Sequence, residues 1–431
     1  MTAISIGRVA SVFALVLAIW SCEGSVRSGA SKGEAGTAGM STSGVAGINT
    51  GKGGSNDMAG QAGTAGSESS AGAAGSDESV AIRQLAARGV DTCALLSNGS
   101  IKCWGYNQCG QVGVAPGTQI WPGTPVTVPE ISNAIWVSIG FSFGCAILDD
   151  RTVKCWGCND YGQLGDGTTN DSAVPVEVRG LSGAVQVVVD DSKGCALLED
   201  GTVACWPAGT SPALADATPL PETSLAVVDG ISNAIQLSGY GSDFCVLLED
   251  HTVECWGNND YGQLGDGTTD PSETPVKVRG LTDVVQINGG DVSNCAVVAE
   301  GTVKCWGSNH GPDCAQSSDC VNLQPTTVGE LPLALQVSSY GGSSCALLRD
   351  RTVACWGNND NGQLGDGTTT TSAIPVLVKG LSDIQQIISV GFSCALLQDG
   401  TARCWGSNNY GQLGDGTHND SLVPVMVTAA P

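Results

Sequence analysis

Any chemistry this chain performs would have to start from its nineteen cysteines. Fourteen of them stand in pairs ten positions apart: Cys93 with Cys103, Cys145 with Cys155, Cys195 with Cys205, Cys245 with Cys255, Cys295 with Cys305, Cys345 with Cys355 and Cys394 with Cys404. A cysteine must be free before its thiolate can attack an electrophile or hold a metal. The run Cys155-Trp156-Gly157-Cys158 has the C-x-x-C spacing of redox and zinc sites. It follows an apolar strand instead of opening a helix, however, and Cys155 already has Cys145 as its partner. The expectation is structural disulfides, with neither redox nor zinc chemistry. Cys109 and Cys158 occupy similar places in consecutive copies of a repeat and pair across them, while Cys314 and Cys320 close a loop of their own. Setting Cys22 aside leaves an even eighteen, as in a protein that folds where disulfides persist.

Carboxylates are the next candidates. Asp166-Gly-Thr-Thr-Asn-Asp171 and its relatives at Asp266, Asp366 and Asp415 combine hard oxygen ligands with turn carbonyls, as a calcium loop does. None has the alternating Asp/Asn series ending in Glu, so the expected role is a turn in which Asp caps its own backbone. Acid–base and nucleophilic catalysis find little support, because His251, His310 and His418 stand in unrelated turns and no Gly-x-Ser-x-Gly elbow occurs. The phrase Glu-Asp-Gly-Thr-Val-x-Cys-Trp faintly resembles the Asp-box of sialidases, but those enzymes need clustered arginines and the ten here are scattered. No catalytic, cofactor-binding or metal-ligating residue is assigned, and the chain is not expected to be an enzyme. A Trp follows each second cysteine, from Trp104 to Trp405, and could build a sugar or peptide platform. Its appearance once per copy argues for packing where copies meet; Trp121 and Trp136, off that pattern, are slightly better surface candidates, yet core positions are still expected for both.

The elements that carry these residues follow from one copy, Cys195-Ala-Leu-Leu-Glu-Asp-Gly-Thr-Val-Ala-Cys205. Two short apolar runs flank Glu199-Asp200-Gly201, a three-residue hairpin loop whose Gly takes the left-handed position. Such a loop sets Leu198 opposite Thr202 and therefore Cys195 opposite Cys205. Alternation makes the Cys pair a non-hydrogen-bonded one with Cα atoms roughly 4.5 Å apart, within disulfide reach. Arg151, His251 and Arg351 stand where other copies have the loop Gly, and should be strained there. Each copy adds a Pro-Val-x-Val strand and an x-Val/Ile-Gln-x strand, giving four strands per unit. Seven units of four strands predict an all-β, seven-bladed β-propeller over residues 80–431. The first unit lacks a preceding Pro-Val strand and the chain ends on an extra one, Val423 to Val427. Ring closure by that C-terminal strand pairing beside Ile82 to Leu85 of the first blade is expected.

Residues 1–22 read as an export signal: Arg8, an apolar run from Val9 to Trp20, then Ser21-Cys22. A small residue followed by Cys resembles a bacterial lipoprotein processing site, which would lipidate Cys22; plain cleavage near Ser21 is the alternative. Residues 23–79 are a Gly/Ala/Ser-rich linker with too few large apolar side chains to fold. As a coil this disordered linker would span about 40 Å, enough to lift a domain off a membrane.

The run Trp256-Gly-Asn-Asn-Asp-Tyr-Gly-Gln-Leu-Gly-Asp-Gly-Thr268, followed by Pro275-Val276 and Gly280-Leu281, resembles the regulator of chromosome condensation repeat. It recurs nearly intact at 156–168, 356–368 and 405–417, and the resemblance covers about residues 81–428. It implies a seven-bladed propeller. The usual repeat lacks these cysteines, so the stapled hairpins look like an adaptation to an oxidising compartment. Two units depart from the pattern, the third at Trp206 to Asp216 and the fifth at Gly311 to Cys320, and are the expected contact loops. Eighteen basic against forty-two acidic residues give a net charge of −24, which repels phosphate backbones and argues against nucleic acid. The expected function is a lipid-anchored, extracytoplasmic interaction module at the cell envelope or surface, binding a protein or surface glycan. The resemblance also implies guanine-nucleotide exchange on a GTPase, or inhibition of a secreted hydrolase of the β-lactamase type, as alternatives.

Overall fold

Each copy of the repeat becomes one antiparallel sheet of four strands, and seven such sheets form a ring. In this computed structural model the described residues are 80–117, 120–190, 192–207, 225–241, 243–308, 321–340 and 342–428. They hold twenty-eight strands and no helix. The signal, Cys22, the linker, the Cys314–Cys320 pair and most of the Pro-rich third-unit segment lie outside them.

The first blade consists of β1 (Ile82–Arg88), β2 (Asp91–Leu96), β3 (Ile101–Gly105) and β4 (Val126–Thr127), hydrogen-bonded in that order. The seventh repeats the plan with β25 (Ile384–Ser389), β26 (Phe392–Leu397), β27 (Ala402–Gly406) and β28 (Ser421–Met426). The second strand of a blade is covered on both faces by its neighbours, so Cys-Ala-Leu-Leu reads as an unbroken apolar run; all six residues of β2 are buried. The outermost strands are largely open to solvent.

The hairpin geometry follows the loop. Leu198 N–H donates to Thr202 O at 2.9 Å and Gly201 N–H to Leu198 O at 3.0 Å. Cys195 then lies opposite Cys205 and is bonded to it, with Cα atoms 4.0 Å apart. The same bridge recurs in all seven blades. Arg151, His251 and Arg351 take φ of 68°, 62° and 67°, the left-handed conformation that the missing Gly would have supplied. In the same loops the Asp200 carboxylate accepts from the Thr202 N–H at 3.0 Å and hydroxyl at 2.6 Å, and equivalent bonds form at Asp150, Asp250, Asp350 and Asp399.

Two devices hold blade to blade. The Gln of each inner strand reaches the next inner strand and bonds both groups of one residue: Gln236 Nε2 donates to Ile287 O, and Ile287 N–H to Gln236 Oε1, each at 2.9 Å. Gln84, Gln186, Gln286, Gln336 and Gln386 do the same. Blade two has Trp136 in that place, donating from Nε1 to Val187 O at 3.0 Å. Farther out, the Trp of one blade inserts against the Gly-Gln-Leu-Gly connection of the preceding blade. Trp306 Nε1 donates to Gln263 O at 2.8 Å, and Trp104, Trp156, Trp206 and Trp405 make the matching bond. Gly265 lies under that indole: a Cβ there would meet Trp306 Cδ1 at 2.8 Å, on a backbone with φ of 65°. The repeated tryptophans are thus packing residues, as their spacing implies.

Closure differs from the sequence-based expectation. β28 pairs with β27, and the first blade is complete without it, so the repeat begins on the inner strand and ends on the Pro-Val strand. No strand is exchanged across the seam. Instead the ordinary inter-blade devices close it: Gln386 clasps Leu85, Trp104 Nε1 donates to Gln412 O at 2.9 Å, and Ile82 N–H donates to Gly400 O at 3.0 Å. β28 is taken up instead as the outer strand of its own blade, beside β27.

Candidate functional site

Most recurring polar residues are consumed by their own turns. In the Gly-Asp-Gly-Thr turn, Asp166 accepts from the Thr168 N–H at 3.0 Å and from its hydroxyl at 2.9 Å. The buried Asn159 amide ties Asp166 to the Thr168 carbonyl. Asp266, Asp366 and Asp415 are held in the same way. These carboxylates serve as turn caps, as the sequence suggests. The C-x-x-C pair is also spoken for, Cys155 by Cys145 and Cys158 by Cys109. His251 places Nδ1 2.8 Å from Val284 O in a blade-four hairpin, and His418 is exposed on blade seven; His310 lies outside the described residues.

What remains is where the copies disagree. The last inner-strand position, at the mouth of the central channel, reads Arg88, Gly140, Asp190, Tyr240, Gly290, Tyr340 and Val390 around the ring. The residue opposite reads Asp91, Phe143, Lys193, Asp243, Ser293, Ser343 and Phe392. Arg88 is only 4% exposed and reaches across the mouth, its Nη1 donating to Val189 O and Gly239 O of blades three and four. Its guanidinium lies 3.5 Å from the centre of the Tyr240 ring, and Tyr240 packs on Tyr340 at 4.5 Å. Three carboxyls are buried in this region. Burial drives Asp243 up to about 8, against the Asn294 amide and Arg88, which pull it down, with Asp291 adding to the rise. Asp91 is raised well above the usual range by burial, which the nearby Tyr106 N–H and Gln111 amide only partly offset. Asp190 is raised by burial too, although the Ser192 and Lys193 N–H groups donate to it at 2.7 and 2.8 Å. Arg88 Nε and Nη2, both Asp91 oxygens, Asp190 Oδ2 and Asp243 Oδ1 have no hydrogen-bond partner. Behind this plug the channel is a cavity of about 230 Å³ lined by the inner strands.

The mouth therefore acts first as a lock, an arginine of blade one tied to blades three and four amid carboxyls whose affinity for a proton is raised by burial. Sequence reading misses it because no motif marks it; the usable signal is disagreement among aligned copies at one position. The second place of disagreement is the blade-one connection 105–125, where Tyr106 and a half-exposed Trp121 meet Tyr410 of blade seven. Against the expectation of a core position Trp121 reaches the surface, while Trp136 is a channel-lining clasp.

The RCC1-like domain model matches residues 49–393, and the regulator of chromosome condensation (RCC1) repeat model matches 389–412. The chain belongs to the RCC1-like domain family. Within it, the ultraviolet-B receptor UVR8 of Arabidopsis thaliana is 33% identical over 90 residues, 21% of this chain and 20% of that relative, so the match spans about a fifth of its length. Among solved structures, Prp20p of Saccharomyces cerevisiae is 22% identical with a TM-score of 0.64, covering 78% of this chain and 87% of that one. Human WBSCR16 is 20% identical with a TM-score of 0.66, covering 77% and 94%. At these identities the likeness carries the RCC1-like fold, and that fold suggests an interaction module.

Proposed function

We propose that this RCC1-like propeller is a non-catalytic interaction module that works outside the cytoplasm, anchored by a lipid on Cys22 and held clear of the membrane by residues 23–79. It takes a protein or surface-glycan partner through the connections that emerge at the mouth end of the ring, inhibition of a secreted hydrolase being one form of such binding. The observation that carries this reading is that all sixteen cysteines among the described residues are bridged, seven pairs within hairpins and Cys109–Cys158 between blades. So many pairs suit an oxidising extracellular environment. A rigid frame presenting connections whose recurring polar groups are already satisfied suits binding by the residues that differ. Prp20p has been studied for binding to Gsp1p and histones. The competing reading, a nucleotide-exchange factor, calls for a reducing compartment, which this cysteine content does not favour.

Fractionation of expressing cells with and without globomycin tests the anchor, alongside thiol titration of unreduced protein. Processed, membrane-bound, thiol-poor protein is the expected result. Unprocessed soluble protein with a dozen or more free thiols would sink the proposal.

A further inference from the structure

Among the described residues, the seam between blades seven and one carries a cluster of three aromatic side chains. Tyr410 packs edge-to-face with Tyr106 at 5.5 Å and with Trp121 at 5.6 Å, interplanar angles 80° and 83°. Such contacts occupy one edge and one face per pair, and the cluster keeps ring surface open to solvent: Trp121 is 47% exposed and its neighbour Ile120 55%. The backbone beneath is fixed. Asn107 N–H donates to Ile120 O at 2.9 Å, Gly105 N–H to Pro122 O at 3.0 Å and Gly416 N–H to Gly123 O at 2.9 Å, so Trp121 stands on a braced strand-like segment. Cys109–Cys158 ties the same connection to blade two.

The connections that carry these rings are poor in charge. In a chain of net charge −24, residues 105–125 contain no Asp, Glu, Lys or Arg, and neither do 406–414. Elsewhere the exposed tyrosines of these connections, Tyr161 and Tyr261, directly follow Asp160 and Asp260. Among the described residues the exposed polar side chains of the seam connections are Gln108, Thr124, Asn409, Thr417, His418, Asn419 and Asp420, whose carboxylate accepts from the Asn408 N–H at 2.7 Å, and Tyr106 O–H donates to Gln108 Oε1. Flat aromatic surface flanked by amide, hydroxyl and imidazole groups, with Asp420 as the one exposed carboxylate of these connections and no ammonium in them, matches a pyranose, whose C–H face stacks on an aromatic ring while its hydroxyls seek donors and acceptors.

We infer that this seam is a binding site for neutral saccharide, with Trp121 and Tyr410 as stacking surfaces. The inference rests on the interaction-module reading and names its ligand class. The test is affinity electrophoresis of the full chain in native gels containing soluble mannan, xylan or β-glucan, with alginate as a charged control. The expected result is retardation by at least one neutral polymer and not by alginate. Trp121→Ala and Tyr410→Ala should each weaken it about tenfold, Trp121→Phe should restore part of it, and Tyr261→Ala should leave it unchanged. Equal melting temperatures of the variants would show that the loss is local. No retardation by any of the three polymers, or retardation indifferent to both alanine variants, overturns the assignment. A chain that ignores all three yet captures a protein through Trp121 overturns the sugar reading alone. One that ignores them and captures nothing fails both readings.

Discussion

Replacing Asp243 by Asn tests the lock at the channel mouth most directly. The carboxyl is 1% exposed, Oδ2 accepts from Asn294 Nδ2 at 3.0 Å, and Oδ1 has no partner. Its folded pKa is about 8, against about 3.8 when free, so the folded state holds a proton that the unfolded state releases. A raised carboxyl pKa contributes stability that is fully present below the unfolded value and is lost as pH rises through the folded one. Between about pH 4 and pH 8 the loss is about 1.4 kcal/mol per pH unit, and at pH 7 it amounts to about 4 kcal/mol. Asn cannot ionise, keeps an acceptor for Asn294 and offers an amide where a protonated carboxyl stood. Asp243→Asn should therefore be close to neutral near pH 4 and increasingly stabilising up to about pH 8, with no further gain above that.

Denaturant unfolding of both proteins across pH 4 to 9, disulfides intact, measures the difference directly. Even half the calculated gain at pH 7 is well above the error of the method. A difference that is flat with pH, or an Asn variant less stable at pH 8, would refute the reasoning. Either result would mean that Asp243 stays ionised as the counter-charge of Arg88, and that the pair is held by attraction instead of by a proton.

Other consequences are simpler to state. Removing one hairpin bridge, as in Cys245→Ser with Cys255→Ser, should cost about 2–3 kcal/mol in denaturant unfolding, the loop-closure value for a short loop. Gly265→Ala should cost about 2 kcal/mol or more, since the added Cβ meets the Trp306 indole at 2.8 Å and φ is 65°; loss of Trp fluorescence quenching or a lower melting temperature would report it. Gln236→Leu leaves Ile287 N–H and C=O without their clasp and should cost about 1–3 kcal/mol, whereas Trp136→Gln restores the common residue and should cost less than half as much.

Much of this architecture is legible in the residues themselves. The loop Glu-Asp-Gly fixes the register that puts Cys195 opposite Cys205, and the three non-Gly loop residues take left-handed φ because the hairpin leaves no alternative. Periodicity yields the blade count and places one Trp at each junction. Two things are not legible. Ring closure depends on where a blade begins, and the order of four strands within a repeat of fifty residues can be cut at any point without changing the letters. The mouth lock depends on side chains from blades one, three and four meeting across a channel, and no local pattern relates Arg88 to Val189 or Tyr240. The tether, Cys22 and the third and fifth insertions remain proposals drawn from residue types alone.

A repeat protein supplies its own controls, and that bears on function. Residues identical in most blades are those the frame uses: Gln for the inner clasp, Trp and Gly for the junction, Asp and Thr for the turns, Cys for the staple. A position that varies from blade to blade is free of that demand, so whatever distinguishes this chain must act through such positions. Two sets qualify among the described residues. Most of the mouth residues are buried and several carry unpaired polar atoms, which makes them suited to fixing the ring and poorly placed to meet a partner. Of the seam aromatics, Trp121 is exposed and braced and Tyr106 and Tyr410 are half-buried beside it, which makes the patch costly to leave in water unless something covers it. Division of labour between a sealed charged lock and an open, charge-poor patch follows from burial, and it directs the search for a ligand to blade one.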